Sequence, residues 1–105
     1  MPRLNGDPGG TRPASTAAKF ALGKTLITKN ALETLNAGDV LMALERHVTG
    51  DWGDDLCPED RASNERALQQ SGRLVSVYRT RDGVKFYVIT EADRSVTTVL
   101  LPEDY

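Results

Sequence analysis

The sequence has little of the residue types from which most catalytic and metal sites are built. Its 105 residues include one His, one Cys and one Trp. A single Cys cannot form an intrachain disulfide, and a metal site would need His or carboxylate ligands in place of the missing thiolates. The motifs CxxC, HExxH, GxGxxG and the P-loop are also missing, so nothing indicates the redox, metallohydrolase or nucleotide-binding classes that depend on them. We expect neither a cofactor nor a metal site.

Long apolar runs and an excess of positive charge are missing as well. There is no run of about 18 apolar residues, and the N-terminal stretch MPRLNGDPGGTRPASTAAKF lacks the apolar centre of a secretory signal. Thirteen Lys and Arg stand against fifteen Asp and Glu, a net charge of −2. This balance gives no overall attraction to nucleic acid or to an anionic membrane. We therefore predict a cytoplasmic protein that binds no membrane, with nucleic-acid binding open but not favoured.

The chain is predicted to fold as one α+β domain behind a flexible tail. Residues 1–19 are rich in Pro, Gly, Ser and Thr and contain few large apolar groups, too few to offset the entropy of ordering them. From residue 20 onwards the pattern changes to a β-prone run at residues 25–27, followed by a short helix with Thr28 or Asn30 as its N-cap. The sequence therefore predicts a tail at residues 1–19 and a single domain at residues 20–105.

Two further helices are expected in the middle of the chain. Asp39 is the candidate N-cap of VLMALERHV, and Gly50 is its natural stop. Pro58 suits the first position of a mostly exposed third helix that ends at Ser71. The apolar residues of the second helix are expected to face the core: Val40, Leu41, Met42, Leu44 and Val48.

The last third of the chain gives the clearest pattern. The runs RLVSVYRT, VKFYVIT and VTTVLLP are rich in β-branched and aromatic residues, and the turns RDG and EADRS separate them. These runs predict a three-stranded antiparallel meander. The expected fold is a short N-terminal strand, three helices and then this meander packed on the helices.

The only His, Trp and Cys fall together in RHVTGDWGDDLCPEDR, residues 46–61, among several carboxylates. Trp52 could stack on a base or anchor a partner, or it could pin a polar loop to the core. His47 could act as a base, or it could be a helix-end residue that makes one hydrogen bond. The spacing of the carboxylates does not fit a calcium-binding EF-hand. We favour a structured connector held by Trp52.

The segment TEADRSVTT, residues 90–98, is the second candidate site. Its polar side chains could form the floor of an active site in which Arg79 and Arg94 bind a phosphate, or they could be ordinary turn and strand residues. If the protein is a ribonuclease, its catalytic residues are expected to be His47, Arg79, Arg94, Ser95 and Thr97. The candidate binding residues are Asp51, Trp52, Asp54, Tyr78, Glu91 and Asp93.

The stretches GDWGD, ITEADRSVTT and LLPEDY resemble a family of short bacterial proteins found on plasmids and other mobile elements. The resemblance covers roughly residues 20–105. Members are sometimes labelled plasmid-related or a subunit of a type I restriction enzyme. The restriction label does not fit, because the chain has no methyltransferase or nuclease motif and is too short for a methyltransferase domain. The resemblance implies a place on a mobile element and brings no activity with it.

Three functional hypotheses remain open from the sequence. The leading one is a non-enzymatic accessory protein of a mobile element that acts through an unknown protein partner, because no catalytic constellation is present. The alternative is a small metal-independent RNase resembling the barnase, colicin and RelE-like group, on the fold-level analogy of helices before an antiparallel sheet. The third is nucleic-acid binding without catalysis, through Arg73, Arg79, Arg81 and Lys85. A monomer or a weak dimer formed by edge strands is expected.

Overall fold

The computed structural model describes residues 17–105, which form an α+β fold of three α-helices and four strands. The α+β class, the three helices and the three C-terminal strands confirm the prediction. Of the predicted tail, residues 1–16 lie outside the described residues. The elements are β1 (Lys24–Ile27), α1 (Lys29–Thr34), α2 (Ala37–Val48), α3 (Pro58–Gln70), β2 (Leu74–Arg79), β3 (Lys85–Thr90), β4 (Val96–Leu100) and a 3₁₀ turn (Pro102–Asp104).

The four strands form one mixed sheet in the order β1-β4-β3-β2. The β2–β3 and β3–β4 pairs are antiparallel, as predicted. The difference from the predicted meander is β1, which joins β4 in parallel with Lys24 opposite Val96 and Ile27 opposite Val99. A lone strand would leave its backbone groups without partners, and β4 supplies them along one side of β1. The sheet therefore has two edges, β1 and β2.

The first two helices cover one face of the sheet. Thr28 caps α1, and its hydroxyl accepts the Ala31 N–H at 3.2 Å. Ala31 and Leu35, with Ala43 of α2, are buried against the sheet. The sheet contributes aromatic and aliphatic side chains to this core, Tyr78, Phe86, Val88 and Val99, and Leu101 joins them directly after β4.

Two details of α2 differ from the prediction. Its N-cap is Asn36, whose side-chain oxygen accepts the Asp39 N–H at 2.8 Å, so Asp39 lies in the first turn instead of capping it. Leu41 and Met42 are 64% and 63% exposed, although both were expected in the core. The buried stripe of α2 runs through Ala43 and His47, one turn apart, and it is too narrow to include the two exposed residues.

The third helix lies beside β2. It begins at Pro58, as expected, and ends at Ser71, which adopts the left-handed conformation with φ of 59°. A second buried cluster joins the preceding loop, α3 and β2, and consists of Trp52, Leu56, Ala67, Leu74 and Val77. The GDWGD loop is thereby placed next to the β2 edge of the sheet.

Candidate functional site

The GDWGD loop, residues 50–54, is held in place by side chains on both sides of it. Arg46 in the last turn of α2 donates two hydrogen bonds to the Asp51 carboxylate, from Nε at 2.8 Å and from Nη2 at 3.1 Å. This pairing lowers the pKa of Asp51. The Tyr78 hydroxyl donates to the Asp51 carbonyl oxygen at 2.5 Å, and burial raises the pKa of Tyr78. Asp51 and Tyr78, both candidate binding residues, are thus bound to other parts of the protein.

Trp52 points into the protein and is only 2% exposed. Its indole N–H donates to the Glu65 carboxylate of α3 at 2.8 Å. Its ring stacks near Phe20 and is roughly perpendicular to the His47 ring, with centroid separations of 6.3 Å and 5.7 Å. No face of the ring is open to a nucleic-acid base or to a partner protein. In the folded chain, Trp52 tethers its loop to α3.

The outer edge of β2 is covered by this loop and by α3. The Trp52 carbonyl accepts the Val77 N–H at 3.0 Å. Two residues along the strand, the Asn64 side-chain amide accepts the Val75 N–H at 3.1 Å and donates to the Val75 carbonyl at 2.8 Å. Gly53, with φ of 92°, passes so close that a Cβ atom would overlap the Val77 carbonyl oxygen. A further strand cannot pair with β2 while these groups occupy its edge.

His47 lies at the centre of a buried chain of hydrogen bonds. Its Nδ1 is 2.6 Å from the Ser76 hydroxyl, and its Nε2 is 2.9 Å from the Thr90 hydroxyl. The Thr90 hydroxyl is 2.7 Å from that of Thr97, which donates to the Leu22 carbonyl at 2.6 Å. Because a carbonyl only accepts, Thr97 must accept from Thr90, and Thr90 must accept from Nε2–H. His47 therefore carries its proton on Nε2, and its Nδ1 accepts from Ser76.

The environment of His47 keeps the imidazole neutral. Burial, with a smaller contribution from the positive charge of Arg94, lowers the pKa of His47 to about 3. The side chain has no exposed surface, and the imidazole and Phe20 rings are perpendicular, with their centroids 5.2 Å apart. Both nitrogens are already bonded, so neither is placed to exchange a proton with a substrate. Thr97 is likewise fully buried in this chain of hydrogen bonds.

The two candidate phosphate-binding arginines lie at opposite ends of the sheet. Arg79 ends β2 and pairs with Asp55, with Nε 2.5 Å from the carboxylate oxygen. Arg94 lies in the turn that follows β3 and donates to the Ala67 and Gly72 carbonyls at the end of α3. Between them runs the length of β3, about 17 Å for a strand of this size. Arg94 acts here as a cap for the helix.

The remaining candidates stabilise turns or lie exposed. The Ser95 hydroxyl donates to Asp93 at 2.6 Å within the β3–β4 turn, and this contact lowers the pKa of Asp93. Glu91 lies 3.8 Å from Arg73, and Asp54 is exposed at the end of the GDWGD loop. Within residues 17–105 no three His, Cys, Asp or Glu side chains are grouped as a metal site would require. The predicted catalytic residues are thus not brought together in one cleft.

Within residues 17–105 no strand or helix pairs with the outer side of β1, the opposite edge of the sheet. The N–H groups of Lys24 and Thr28 donate to carbonyls of the β4 side, at 2.9 Å and 3.0 Å. Since alternate residues of a strand direct their backbone groups to opposite sides, those of Thr25 and Ile27 point away from β4. No strand of the described part of the chain lies on that side.

An apolar groove runs beside the open edge, between β1 and the first two helices. Its volume is about 430 Å³, and aliphatic side chains line it apart from Thr25. Two leucines of the helices that line it are well exposed, Leu32 at 63% and Leu41 at 64%. Sequence reasoning missed this surface because it assigned Leu41 to the core. The available signal was a surplus of large apolar residues in α2, more than one helix face can bury.

Comparisons with known proteins add no relative from which a function could be transferred. No family model, curated protein or solved structure matches the chain. Among residues 17–105 no helix has the length and apolar character needed to cross a membrane.

Proposed function

We propose that the protein is a non-enzymatic interaction module that binds a protein partner by adding an extended strand to β1. The observation that carries this proposal is the difference between the two edges of one sheet. The β2 edge is covered by Asn64 and Trp52, whereas no part of residues 17–105 pairs with the outer edge of β1, which adjoins an apolar groove. Open edges expose a protein to unwanted pairing, so an open edge next to apolar side chains is typical of a strand-accepting surface.

The backbone groups of β1 and the adjoining groove determine which kind of segment would bind there. Thr25 and Ile27 each offer one N–H and one carbonyl oxygen, which satisfy the main chain of any extended segment. Alternate side chains of that segment would point towards the groove, where Leu32 and Leu41 are exposed. The expected ligand is an extended segment with apolar residues at every second position. The resemblance to plasmid-associated proteins extends the proposal to an accessory role for a mobile element in the cytoplasm.

The same geometry gives the ribonuclease alternative no support. His47 is enclosed and doubly hydrogen-bonded, and Arg79 and Arg94 are engaged at opposite ends of the sheet. The ion pairs of the sheet also count against nucleic-acid binding there, since Arg73 pairs with Glu91 and Arg79 pairs with Asp55.

Selection from a displayed library of random short peptides tests the proposal, with the protein held at low concentration. Enriched peptides should carry apolar residues at alternate positions. Leu41→Glu should weaken their binding by about tenfold or more, because it puts a charge into the groove. Met42→Glu is the matched control: Met42 is the neighbouring residue, equally exposed, and does not line the groove. The proposal fails if no peptide is enriched, or if the two variants bind equally well.

A further inference from the structure

We infer that the strand which adds to β1 is β1 of a second copy of this chain, paired antiparallel about a two-fold axis at Leu26. This inference rests on the proposed function and names its partner. Thr25 and Ile27 both direct their free groups outward, so placing Thr25 of each copy opposite Ile27 of the other forms two hydrogen-bonded pairs and four hydrogen bonds. Leu26 then lies opposite Leu26 of the second copy.

The side chains are compatible with the same register. Ile27 points to the helix-covered face of the sheet, because it is paired in register with the core residue Val99. In the dimer, Ile27 of the second copy would enter the groove next to Leu32 and Leu41, extending the core across the axis. On the opposite face of the sheet, the two Leu26 side chains would shield each other.

The charges near the edge are compatible with a second copy. None of the residues that line the groove is charged, so the groove has no group that would select a partner by charge. In the symmetric register, Lys24 lies opposite Thr28, and no like charges are opposed. A self-complementary patch on a two-fold axis is also the commonest way in which soluble chains associate.

The size of the surface sets the expected strength. A four-residue strand and three part-exposed leucines form a small patch, near or below the lower limit of about 1,200 Å² buried in specific interfaces. The dimer should therefore be weak and in exchange with the monomer. Its strength should respond sharply to single substitutions in the patch.

Sedimentation equilibrium of the full chain from about 1 μM to about 1 mM tests the inference. The wild type should change from monomer to dimer within this range. Leu41→Glu should raise the dimer dissociation constant by about tenfold or more, and Met42→Glu should leave it within about twofold. Thr25→Pro removes an outward N–H without touching the bonds to β4, so it should act like Leu41→Glu. Circular dichroism of dilute samples checks that each variant is folded.

Each result has one consequence. A wild type that stays monomeric throughout overturns the inference, as does a dimer that both Leu41→Glu and Thr25→Pro leave intact. The peptide selection above is independent, because it is carried out on dilute monomer. Peptide binding without dimerisation would mean that the interaction module stands and the second copy is wrong, whereas the loss of both results would remove both proposals.

Discussion

Asn64 on α3 binds Val75 on β2 through both ends of its side-chain amide, at 3.1 Å and 2.8 Å. The amide takes the place that the backbone of a neighbouring strand would occupy, and it is almost completely buried. A planar amide offers one donor and one acceptor, as a peptide group does, so one side chain closes this part of the edge. Within the described residues Thr25 on β1 has no equivalent neighbour, which directs extension of the sheet to the β1 side.

Replacing Asn64 by Ala should destabilise the fold strongly. The substitution removes two hydrogen bonds and leaves the Val75 N–H and carbonyl facing α3 without partners, at a cost of about 2 to 3 kcal/mol in the free energy of unfolding. Urea unfolding measures this change. Gln69→Ala, on the exposed side of the same helix, is the control and should stay within about 0.5 kcal/mol of the wild type. Equal effects of the two variants would show that Asn64 does not close the edge.

Two glycines with nearly the same positive φ should respond differently to substitution by alanine. Gly53 and Gly83 have φ of 92° and 88°, so both substitutions strain the backbone, by about 1 to 2 kcal/mol. At Gly83 an added Cβ atom meets nothing within 4 Å, whereas at Gly53 it overlaps the Val77 carbonyl oxygen. Gly53→Ala should therefore cost several kcal/mol more than Gly83→Ala in thermal or urea unfolding. Similar losses for both would mean that the loop does not lie against β2.

Stability should fall as the pH drops below about 6.5 because of His47. The pKa of His47 is about 3 in the folded chain against an ordinary 6.5. Between pH 3 and pH 6.5, therefore, His47 is protonated in the unfolded chain and neutral in the folded chain. The stabilisation is complete above pH 6.5 and declines towards pH 3, by about 5 kcal/mol over the whole window. Urea unfolding at pH 7, 6 and 5 should show the decline.

The substitution His47→Leu separates this effect from the titration of carboxylates. His47 is the only His in the chain, so the variant should be less stable at pH 7 and nearly independent of pH between about 7 and 5. The carboxylate of Asp51, whose pKa is lowered, contributes only at lower pH. A slope that survives in the variant would assign the acid sensitivity to other groups.

RNA incubated with the purified protein at high concentration should remain intact. The prediction follows from the enclosed imidazole of His47 and from the separation of Arg79 and Arg94 at the two ends of the sheet. Gel analysis of labelled RNA, in the absence of added metal, measures cleavage. Cleavage that co-purifies with the wild type and disappears in His47→Leu would restore the ribonuclease alternative.

Local sequence patterns predicted most of the helices and strands, but not the pairing of β1 with β4. The third helix was predictable because Pro58 and Ser71 mark its ends, and the β2–β3 hairpin because Asp82-Gly83 favours a tight turn. The parallel pairing of β1 with β4 was not predictable, because it joins segments about 70 residues apart and no turn sets its register.

In the candidate site, too, contacts between segments that are distant in sequence could not be predicted. A single Trp in a polar loop suggested a tether. Its hydrogen-bond partner, Glu65, lies on α3, and the contact depends on how α3 packs against the loop. The position of His47 near a helix end was clear, whereas its burial depends on α2 crossing the sheet at Ser76 and Thr90. The helical spacing of apolar residues likewise predicted Leu41 in the core, but how α2 packs on the sheet leaves Leu41 lining the groove.

Amide hydrogen exchange at the two edges tests the open β1 edge most directly. In a dilute sample the Thr25 and Ile27 amides should exchange quickly, while Val75 and Val77 on the covered β2 edge exchange slowly. At high protein concentration, protection of Thr25 and Ile27 should rise and that of Val75 should stay the same. Thr25 and Ile27 amides that are already protected in the dilute monomer, or whose exchange never responds to concentration or to a bound peptide, would contradict a strand-accepting β1 edge.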